Sequence, residues 1–462
     1  MVGWTARAQL QLQSLRNTPP QSYTAAQTFY ESLRETGRHV DVSEHYRILN
    51  ALMGPLKEKA DRDAEAKGSP REQEQAGVGR CEQERARSRR GQPSRPGSSR
   101  AHGLDIHPSS PAAGRGTIAA LAAEEAESTA AFEERCAALP QMVYPADVAC
   151  VVSIVREALS AVAGVEVRAY GSAVNGFGDE TSDVDLVVAA TAASLVKGLE
   201  LEGGVASRGL ASCALGELQS RLRKCGFHAP ECRLDARIPV LKMRADRWLS
   251  SRPGGVECDL TINNLLPVFN TALLKAYADI DARAAEITQS CRRWAKAHGV
   301  HGARLGHLSS YAFALMVICY MQVKGALPCL QRNAQAEPRI FKEGGKAYNV
   351  AMEDRAGAAW EPAKEATIDF SGFVGFFCRE FKWGEWVVSV RTGQCLGAAD
   401  CPRLQVNHKK GMTLREFGEL IHIEDPFDVE RDLNFVLDTT HNSKLRSALE
   451  QQHALDAQSD EA

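Results

Sequence analysis

Two aspartates separated by one residue, Asp183 and Asp185, are the residues of this chain best suited to catalysis. Alternate residues of a strand lie on one face, so both carboxylates point the same way if the segment is extended. A third candidate carboxylate, Asp259, lies further along the chain in the segment 257–260. Mg²⁺ or Mn²⁺ would bind such oxygen ligands, and two ions about 3.5–4 Å apart stabilise the attacking and leaving oxygens of an in-line displacement. The three aspartates therefore predict a two-metal site for nucleotidyl transfer.

A short turn of small residues, Gly171-Ser172, precedes the aspartate pair. Glycine lets the backbone approach a phosphate closely, and the N–H groups of such a turn and of a following helix start are anion ligands. Ser172 adds a hydroxyl donor. Either motif alone is common in solvated loops. The turn, the pair and the apolar run 186–190 in this order are together typical of a nucleotide-transfer site.

Alternating and helical patterns around these residues predict the elements that position them. They predict a small mixed sheet with the carboxylates on its central strands, followed by a helical region over 271–322. The predicted strands are 165–170, 184–190, 232–244 and 256–262, and the other predicted helices are 117–139, 146–163 and 215–225.

The chain resembles the nucleotidyltransferase superfamily that includes DNA polymerase beta, and within it the family of cytoplasmic-type poly(A) polymerases and terminal uridylyltransferases. The resemblance runs from about Pro145 to about Asn434, with several motifs in the family's order. These motifs are 170–186 with the aspartate pair, 237–242, 259–271 with the third carboxylate, Leu308-Ser309-Ser310-Tyr311, and the segments 376–381 and 423–428 of the PAP-associated module.

The resemblance implies an α+β fold, in which a small mixed-sheet nucleotidyltransferase domain packs against a mainly helical central and PAP-associated domain. The active-site cleft would lie between them. It also implies an active RNA 3′-terminal nucleotidyltransferase that needs no template and uses Mg²⁺ or Mn²⁺. Asp183, Asp185 and Asp259 fall on the metal ligands, and Asp259 would lie nearest the 3′ hydroxyl of the RNA primer.

Further residues would bind the nucleotide, by the same resemblance. Asn270 and Thr271 fall where the family holds the ribose 2′ hydroxyl. Arg292 and Lys296, four residues apart on one helix face, fall on the triphosphate contacts. Ser310 falls on a phosphate contact and Tyr311 on the aromatic that stacks on the base, a contact worth about 1–3 kcal/mol in comparable systems. The full predicted nucleotide set is Gly171, Ser172, Asn270, Thr271, Arg292, Lys296, Ser310, Tyr311, Asp425, Asp428 and Arg431.

One position departs from the family's pattern. Uridylyltransferases of the family commonly carry a His shortly after the Asp-Pro-Phe segment, where it helps to exclude ATP, and here that position is Arg431. Arginine only donates, whereas uracil presents an acceptor at O4 and a donor at N3. Donation from Arg431 to O4, with Asp428 or Asp425 accepting from N3–H directly or through water, favours UTP. A contact from adenine N6 to Asp428 is the alternative, so uridylation is predicted first and adenylation second.

Two further classes of protein remain open. A catalytically inactive RNA-binding or scaffold paralogue usually lacks a metal carboxylate, whereas all three are present here. A nucleotidyltransferase that acts on a small molecule or a protein is disfavoured by the PAP-associated segments and by the ribose and base positions.

The overall charge does not indicate a nucleic-acid-binding protein, because the formal net charge is −3. Contact with RNA must therefore be local. Arg237 and Lys242, on the strand before the third carboxylate, are the predicted RNA path, and a solvated strand face is the alternative. The sequence contains no recognisable RNA-binding module, which predicts an RNA-binding protein partner.

Cysteine usage predicts a reducing compartment. There are 13 cysteines and no Cys-x-x-Cys pair, and several lie inside apolar segments. No run approaches the roughly 18 apolar residues of a membrane span. The sequence thus predicts a cytoplasmic protein without membrane contact. Mitochondrial and nuclear locations are alternatives, because residues 1–30 contain Arg7 and Arg16 but no acidic residue, and 85–90 is a basic run.

Composition divides the chain into five predicted segments. The segment 1–58 is helical with no assigned role, and 59–116 is a disordered linker rich in charged residues, Gly, Ser and Pro. The catalytic domain with its N-terminal helices spans 117–270. The helical central and PAP-associated domain spans 271–436, with a variable insertion over 332–366, and a polar tail follows over 437–462.

Overall fold

The computed structural model describes residues 127–201, 209–234, 238–245, 255–353, 368–401, 404 and 420–460. The chain divides into two units, Met1–Gly116 and Thr117–Ala462, and every described residue lies in the second. The predicted helical segment 1–58, the predicted linker 59–116 and the predicted RNA contact Arg237 therefore lie outside the described residues.

A five-stranded mixed sheet forms the catalytic domain. Its strands are β1 (Glu166–Tyr170), β2 (Val184–Ala189), β3 (Phe227–Arg233), β4 (Val240–Ala245) and β5 (Val256–Ile262). The strand order is β1-β2-β5-β4-β3, with β2 and β5 parallel and the other pairs antiparallel. The apolar run of β2 is fully buried, as expected for a strand in the middle of a sheet. The carboxylates thus lie on central strands, as the sequence predicts.

Helices cover this sheet and extend its core. They are α1 (Thr129–Ala137), α2 (Ala146–Ala158), α3 (Ser172–Asn175), α4 (Ala192–Gly198) and α5 (Leu210–Lys224). Helix α2 packs on β1 and α5 packs on β3. Helix α1 begins at Ser128, whose side chain accepts from the Ala131 N–H at 3.2 Å. Its buried residues Phe132 and Cys136, one turn apart, belong to the same hydrophobic core as the helices that follow the sheet.

Three helices make up the predicted helical region: α6 (Leu266–Ile280), α7 (Arg283–Ala297) and α8 (Ser310–Val323). Helix α8 is buried from Ala312 to Gln322, since it is apolar all round and belongs to the same hydrophobic core. Its start is fixed by Ser309, whose hydroxyl accepts from the Ala312 N–H at 3.3 Å. Helix α7 instead buries one face, with Cys291, Arg292 and Ala295 inward.

The rest of the domain is a set of short elements. They are the hairpin β6 (Ile340–Glu343) and β7 (Lys346–Asn349), helix α9 (Phe370–Gly375), a π turn over Phe376–Glu380, the strands β8 (Trp386–Ser389), β9 (Gln394–Gly397) and β10 (His422–Ile423), and helix α10 (Thr439–Asp460). The last three strands pair in the order β10-β8-β9. The predicted variable insertion therefore contains a regular hairpin.

The segment 437–462, which the sequence predicts to be a polar tail, contains a long helix. Thr439–Asp460 is a single helix that packs on α9 and the π turn. Leu445 and Leu449, four residues apart, are buried there together with Ala448. The polar composition of the segment obscures this narrow apolar stripe, which is enough to dock one face of a helix.

The expected α+β fold class is confirmed by this arrangement of a mixed sheet against a helical domain. Among the helices of the described ranges, none combines the length and the apolar character that crossing a bilayer requires.

Candidate active site

The strand register brings two of the three aspartates side by side. Asp185 of β2 lies directly opposite Asp259 of the parallel strand β5. Asp183 comes just before β2 and is exposed, two residues from Asp185 and therefore on the same face. The three carboxylates thus lie near one another on one face of the sheet, at its central strands.

Their proximity has an electrostatic cost. The pKa of Asp185 is raised to about 7, first by burial and then by the negative charges of Asp259 and Asp183. A carboxylate in this position is stabilised in its charged form by a nearby cation. Lys242 acts in this direction and lowers the same pKa.

Lys242 is the nearest described cation to the third carboxylate. It lies across from Asp259 on the neighbouring strand β4, and its ammonium group donates to both carboxylate oxygens, at 2.6 Å for Oδ2. Lys242 was predicted from the sequence as part of the RNA path. In the structure it is the counter-ion of a predicted metal ligand, and the RNA contact stays a prediction.

The donor set fits a divalent metal in chemical type. Three carboxylates at adjacent strand ends supply the hard oxygen atoms that Mg²⁺ and Mn²⁺ prefer, and the raised pKa of Asp185 marks a concentration of negative charge. Across the ranges that the structure covers, no three His, Cys, Asp or Glu side chains already stand as a ready ligand cluster. Asp259 would have to release or share Lys242 to complete one.

The Gly-Ser turn is shaped around Asp185. Gly171 has φ +80° and ψ −164°, a conformation that is essentially restricted to glycine. Its N–H donates to the Thr271 hydroxyl at 2.9 Å. A Cβ atom at Gly171 would lie 2.2 Å from Asp185 Oδ2. The absence of a side chain here is therefore what allows the carboxylate to sit beneath the turn.

Replacing Gly171 by Ala should displace Asp185 and abolish most nucleotidyl transfer. We also expect a loss of about 1–3 kcal/mol in the free energy of unfolding, because alanine does not tolerate this backbone conformation. Chemical denaturation and a transfer assay measure the two effects. The matched control is Gly216→Ala in α5, where an added Cβ meets nothing within 4 Å. If both variants keep wild-type activity, the turn does not position the carboxylate.

A cavity of about 300 Å³ opens between the sheet and the helices. This is the lower end of the range of small-molecule sites. The predicted residues that line it are Gly171, Ser172, Asp185, Asn270, Thr271, Arg292, Ser310, Tyr311 and Arg431. These nine residues, of the 16 that line the cavity, come from segments far apart in the chain. Asp183, Asp259, Lys296, Asp425 and Asp428 lie outside the lining.

Asn270 and Thr271 stand side by side on α6. The Thr271 hydroxyl already makes two hydrogen bonds, since it accepts from Gly171 N–H and donates to the Pro267 carbonyl at 2.7 Å. One acceptor lone pair remains on that oxygen. Asn270 Oδ1 is buried and has no hydrogen-bond partner within the described structure. A buried acceptor without a partner is costly, and a ligand hydroxyl would satisfy it.

The two basic residues on α7, Arg292 and Lys296, differ in burial and in their distance from the cavity. Arg292 is buried and donates to the Phe177 carbonyl at 3.2 Å, and it lies 3.5 Å from Asp179. Its Nε is buried without a partner among the described residues. Lys296 is exposed and does not reach the cavity lining. Arg292 is therefore the guanidinium prepared for an anion, and Lys296 adds charge from one turn further along the helix.

A histidine absent from the sequence predictions supports Ser310. His301 Nε2 lies 2.9 Å from Ser310 Oγ. Burial lowers the pKa of His301, and the positive charges of Lys296 and Arg292 lower it further. The neutral imidazole therefore holds the serine hydroxyl at the cavity wall. No local sequence motif predicts the contact between His301 and Ser310, because the two residues are nine positions apart, across an irregular loop.

The far end of the cavity is built around a fully buried carboxylate. Asp425 Oδ1 accepts from the N–H groups of Phe427 and Asp428, each at 3.1 Å. Its Oδ2 lies 3.4 Å from Arg431 Nη1 and 3.5 Å from the Tyr311 hydroxyl. Both oxygens are thus occupied, so Asp425 braces the two residues that face the cavity. Asp428 lies beside it and contacts Lys346 at 3.7 Å.

Other lining residues were not predicted. They are Tyr170, Asn175, Phe177, Pro267, Leu274, Thr288 and Ala314. Most are apolar or make local hydrogen bonds, and such residues are indistinguishable in sequence from ordinary core positions. Asn175 is an example, since its side chain accepts from the Phe177 N–H at 2.9 Å and shapes the loop after the turn.

Comparison with known proteins agrees with this architecture. Residues 145–279 match the family model described as "Poly(A) RNA polymerase, mitochondrial-like, central palm domain". The chain is 28% identical to poly(A) RNA polymerase GLD2 of Danio rerio over 289 residues, which are 62% of this chain and 53% of that protein. It is 29% identical to terminal uridylyltransferase 7 of Homo sapiens over 281 residues, 58% of this chain and 17% of that protein. The chain thus spans about half the length of the first of these relatives.

A solved structure shares the fold. The Cid1 poly(U) polymerase with Mg and 3′-dATP bound superposes with a TM-score of 0.50 at 22% identity, covering 73% of this chain and 92% of that one. This likeness supports a shared fold, in which a small mixed sheet packs against helices. Over the matched segments, the chain is similar both to poly(A) RNA polymerases and to a terminal uridylyltransferase.

Proposed function

We propose that this protein adds nucleotides to the 3′ end of RNA without a template, and that it adds UMP from UTP. One observation supports this above the others. A single cavity is lined by the carboxylate Asp185, the buried guanidinium of Arg292, the unpartnered acceptor of Asn270 and the partly exposed guanidinium of Arg431. These are the groups that a metal-bound triphosphate, a ribose and a base would need in one site.

Each group then has a defined task. In the reaction the RNA 3′ oxygen bonds to the α-phosphorus, the bond between the α- and β-phosphates breaks, and pyrophosphate leaves. The metal ions would neutralise the developing charge on the two oxygens. Asp183, Asp185 and Asp259 would hold them, and Asp259 would accept the proton of the 3′ hydroxyl.

The remaining residues bind and orient the nucleotide. Arg292 and Ser310 would hold the triphosphate, and Asn270 would accept from the ribose 2′ hydroxyl. Tyr311 would stack on the base. Positioning and electrostatic stabilisation supply most of the rate in phosphoryl transfer, because the protein itself forms no covalent bond.

The preference for UTP rests on Arg431. Its side chain is 34% exposed and lines the cavity, and within the described residues it forms an ion pair with Asp425. Its remaining donors suit the O4 acceptor of uracil, whereas adenine presents a donor at the corresponding position. Asp425 has both oxygens engaged, which leaves Asp428 as the carboxylate that can accept from N3–H.

Adenylation is the second candidate. Asp428 could instead accept from adenine N6, and the poly(A) polymerase GLD2 is one of the relatives that the chain resembles over 62% of its length. An inactive scaffold is disfavoured, since all three carboxylates are present and two of them are in register. RNA capture would use local contacts on this chain, and an RNA-binding partner protein would make it more stable. The compartment that we propose is the cytoplasm, on the sequence evidence of cysteines within apolar segments.

A tailing assay tests the proposal. Purified full-length protein, Mg²⁺ and a labelled single-stranded RNA receive each NTP separately and then all four together. We expect UMP addition to dominate. If AMP addition dominates, the protein is a poly(A) polymerase and not a uridylyltransferase. If neither nucleotide is added, in Mg²⁺ or in Mn²⁺, the proposed activity is contradicted.

Variants of Arg431 test the base contact in the same assay. In Arg431→Ala, we expect the ratio of kcat/KM for UTP to that for ATP to fall about tenfold, the value of one charged hydrogen bond. Arg431→His should retain more of the preference, since imidazole can still donate. Arg446→Ala on α10 is the control, because Arg446 is an exposed arginine remote from the cavity lining. An unchanged ratio in Arg431→Ala would contradict base reading by this residue.

A further inference from the structure

The hairpin β6–β7 contacts two segments that carry cavity-lining residues, the start of α6 and the loop 425–431. It is closed by Gly344 and Gly345, whose φ angles of +55° and +75° suit a tight two-residue turn that matches the twist of paired strands. The residues on either side of this turn, Glu343 and Lys346, face different parts of the site. The hairpin therefore presents one carboxylate and one ammonium group from a rigid support.

Glu343 fixes the start of the helix that carries the ribose contacts. Its carboxylate accepts from the backbone N–H of Leu265, and from that of Leu266 at 3.2 Å. Leu265, at the N-terminus of α6, has no capping side chain of its own. A distant acidic residue thus takes over the cap, where negative charge also complements the helix dipole. Asn270 lies one turn further along this helix.

Aromatic packing joins the same hairpin to the loop at the base end. Phe341 of β6 is buried, and its ring centroid lies 4.8 Å from that of Phe269 on α6. Phe269 in turn lies 6.4 Å from Phe427, two residues after Asp425. The hairpin, the ribose helix and the base loop are thus one packed unit.

Lys346 reaches the acidic residues of that loop. Its Nζ lies 3.4 Å from a carboxylate oxygen of Glu430 and 3.7 Å from Asp428. These two carboxylates closely precede Arg431 in sequence. The next acidic residue, Asp432, is already held by His422 at 2.7 Å. Lys346 is therefore the cation that pairs with Asp428 and Glu430, whereas Arg431 pairs with Asp425.

We propose that Lys346 is a specificity-positioning residue, which holds Asp428 and Glu430 away from Arg431 and so leaves the Arg431 guanidinium directed at the base. This inference rests on the proposed function and deepens it. Lys346 acts through Arg431 and does not touch the nucleotide. Its side chain is half exposed, so the ion pairs contribute little to folding. The contact matters because it determines which cation the acidic loop engages.

Without Lys346, we expect the two unpaired carboxylates to draw Arg431 toward them and out of the cavity. The KM for UTP should rise, while kcat should change little because the metal ligands are unaffected. ATP use should change less, because adenine presents a donor where uracil presents the O4 acceptor and so gains nothing from the Arg431 guanidinium. The ratio of kcat/KM for UTP to that for ATP should therefore fall whichever nucleotide the enzyme prefers.

The test compares Lys346→Met, Lys346→Glu and Lys346→Arg in the full-length protein. Lys346→Met should lower the UTP:ATP ratio by about two- to fivefold, as expected for loss of an exposed ion pair, and Lys346→Glu should lower it further. Lys346→Arg should restore the ratio. The control is Lys342→Met, an exposed lysine on the same hairpin that makes none of these contacts. The melting temperature should stay constant across the series.

Equilibrium binding of UTP and of ATP in Mg²⁺ distinguishes this inference from the proposed function. Loss of UTP affinity in Lys346→Met but not in Lys342→Met supports the role of Lys346, even if no RNA is extended. Identical UTP and ATP affinities for wild type, Lys346→Met and Lys346→Glu would overturn it, even if the wild type extends RNA. Equal losses for both nucleotides, with a lowered melting temperature and no rescue by Lys346→Arg, would reduce Lys346 to a structural residue.

Discussion

Asp185→Asn should lower nucleotidyl transfer by about a thousandfold or more, because the neutral amide removes a metal ligand and several kcal/mol of charge stabilisation with it. The change keeps the shape of the side chain under Gly171, so the fold should remain. Single-turnover extension of a labelled RNA measures the effect. Asp279→Asn is the control, since Asp279 is an exposed carboxylate on α6 whose partner is Lys275. Activity above a tenth of wild type would contradict the metal-site assignment.

The same substitution should stabilise the protein at alkaline pH. The folded-state pKa of Asp185 is about 7, above its ordinary value, so ionisation costs stability as pH rises from about 4 to about 7. Each unit of this shift corresponds to about 1.4 kcal/mol. In a chelating buffer, Asp185→Asn should therefore gain more free energy of unfolding over wild type at pH 8 than at pH 5. An equal gain at both pH values would show that Asp185 carries no such charge penalty.

Arg292→Met should raise the KM for the nucleotide about a hundredfold. A buried guanidinium with an unpartnered Nε is prepared for charge-assisted hydrogen bonds to phosphate, each worth about 1.5–3 kcal/mol. Arg292→Lys should recover only part of this, because an ammonium group cannot reproduce the planar fork. Steady-state kinetics with varied UTP measures the change.

The control for that prediction is Arg293→Met, on the exposed side of the same helix. Arg292 also holds the Phe177 carbonyl, so the melting temperature must be measured alongside the kinetics. A matching rise in KM for Arg293→Met would point to general loss of positive charge rather than to a specific contact. A fall in melting temperature without any change in KM would make Arg292 a structural residue.

The sheet and its carboxylates were predictable from sequence because they depend on local periodicity. Alternation places Asp183 and Asp185 on one face, and the apolar run after them marks a buried central strand. Part of the cavity lining was predictable for a different reason. The chain carries the motifs of a known family in the family's order, and the resemblance assigned nucleotide contacts to Asn270, Ser310 and Arg431, which do line the cavity.

Contacts between distant side chains were not predictable. The pairing of Lys242 with Asp259 depends on the β4–β5 register, and the cap provided by Glu343 for α6 joins residues 77 and 78 positions apart. No local pattern encodes either. The last helix was missed because its buried stripe, with Leu445 and Leu449, is narrow within a polar segment.

The ion pair between Lys242 and Asp259 makes the chain its own competitor for metal. An ammonium group already bonded to both carboxylate oxygens must be displaced, or must share them, before a divalent cation can take them. The apparent affinity for metal then reflects the free energy of metal binding minus the free energy of the ion pair that must be broken. It is therefore weaker than the intrinsic affinity of the carboxylates. Because the ammonium belongs to the protein, its effective concentration never falls by dilution. If Asp259 holds a metal ion as proposed, the metal concentration needed to fill the site is therefore set partly by a lysine on the neighbouring strand.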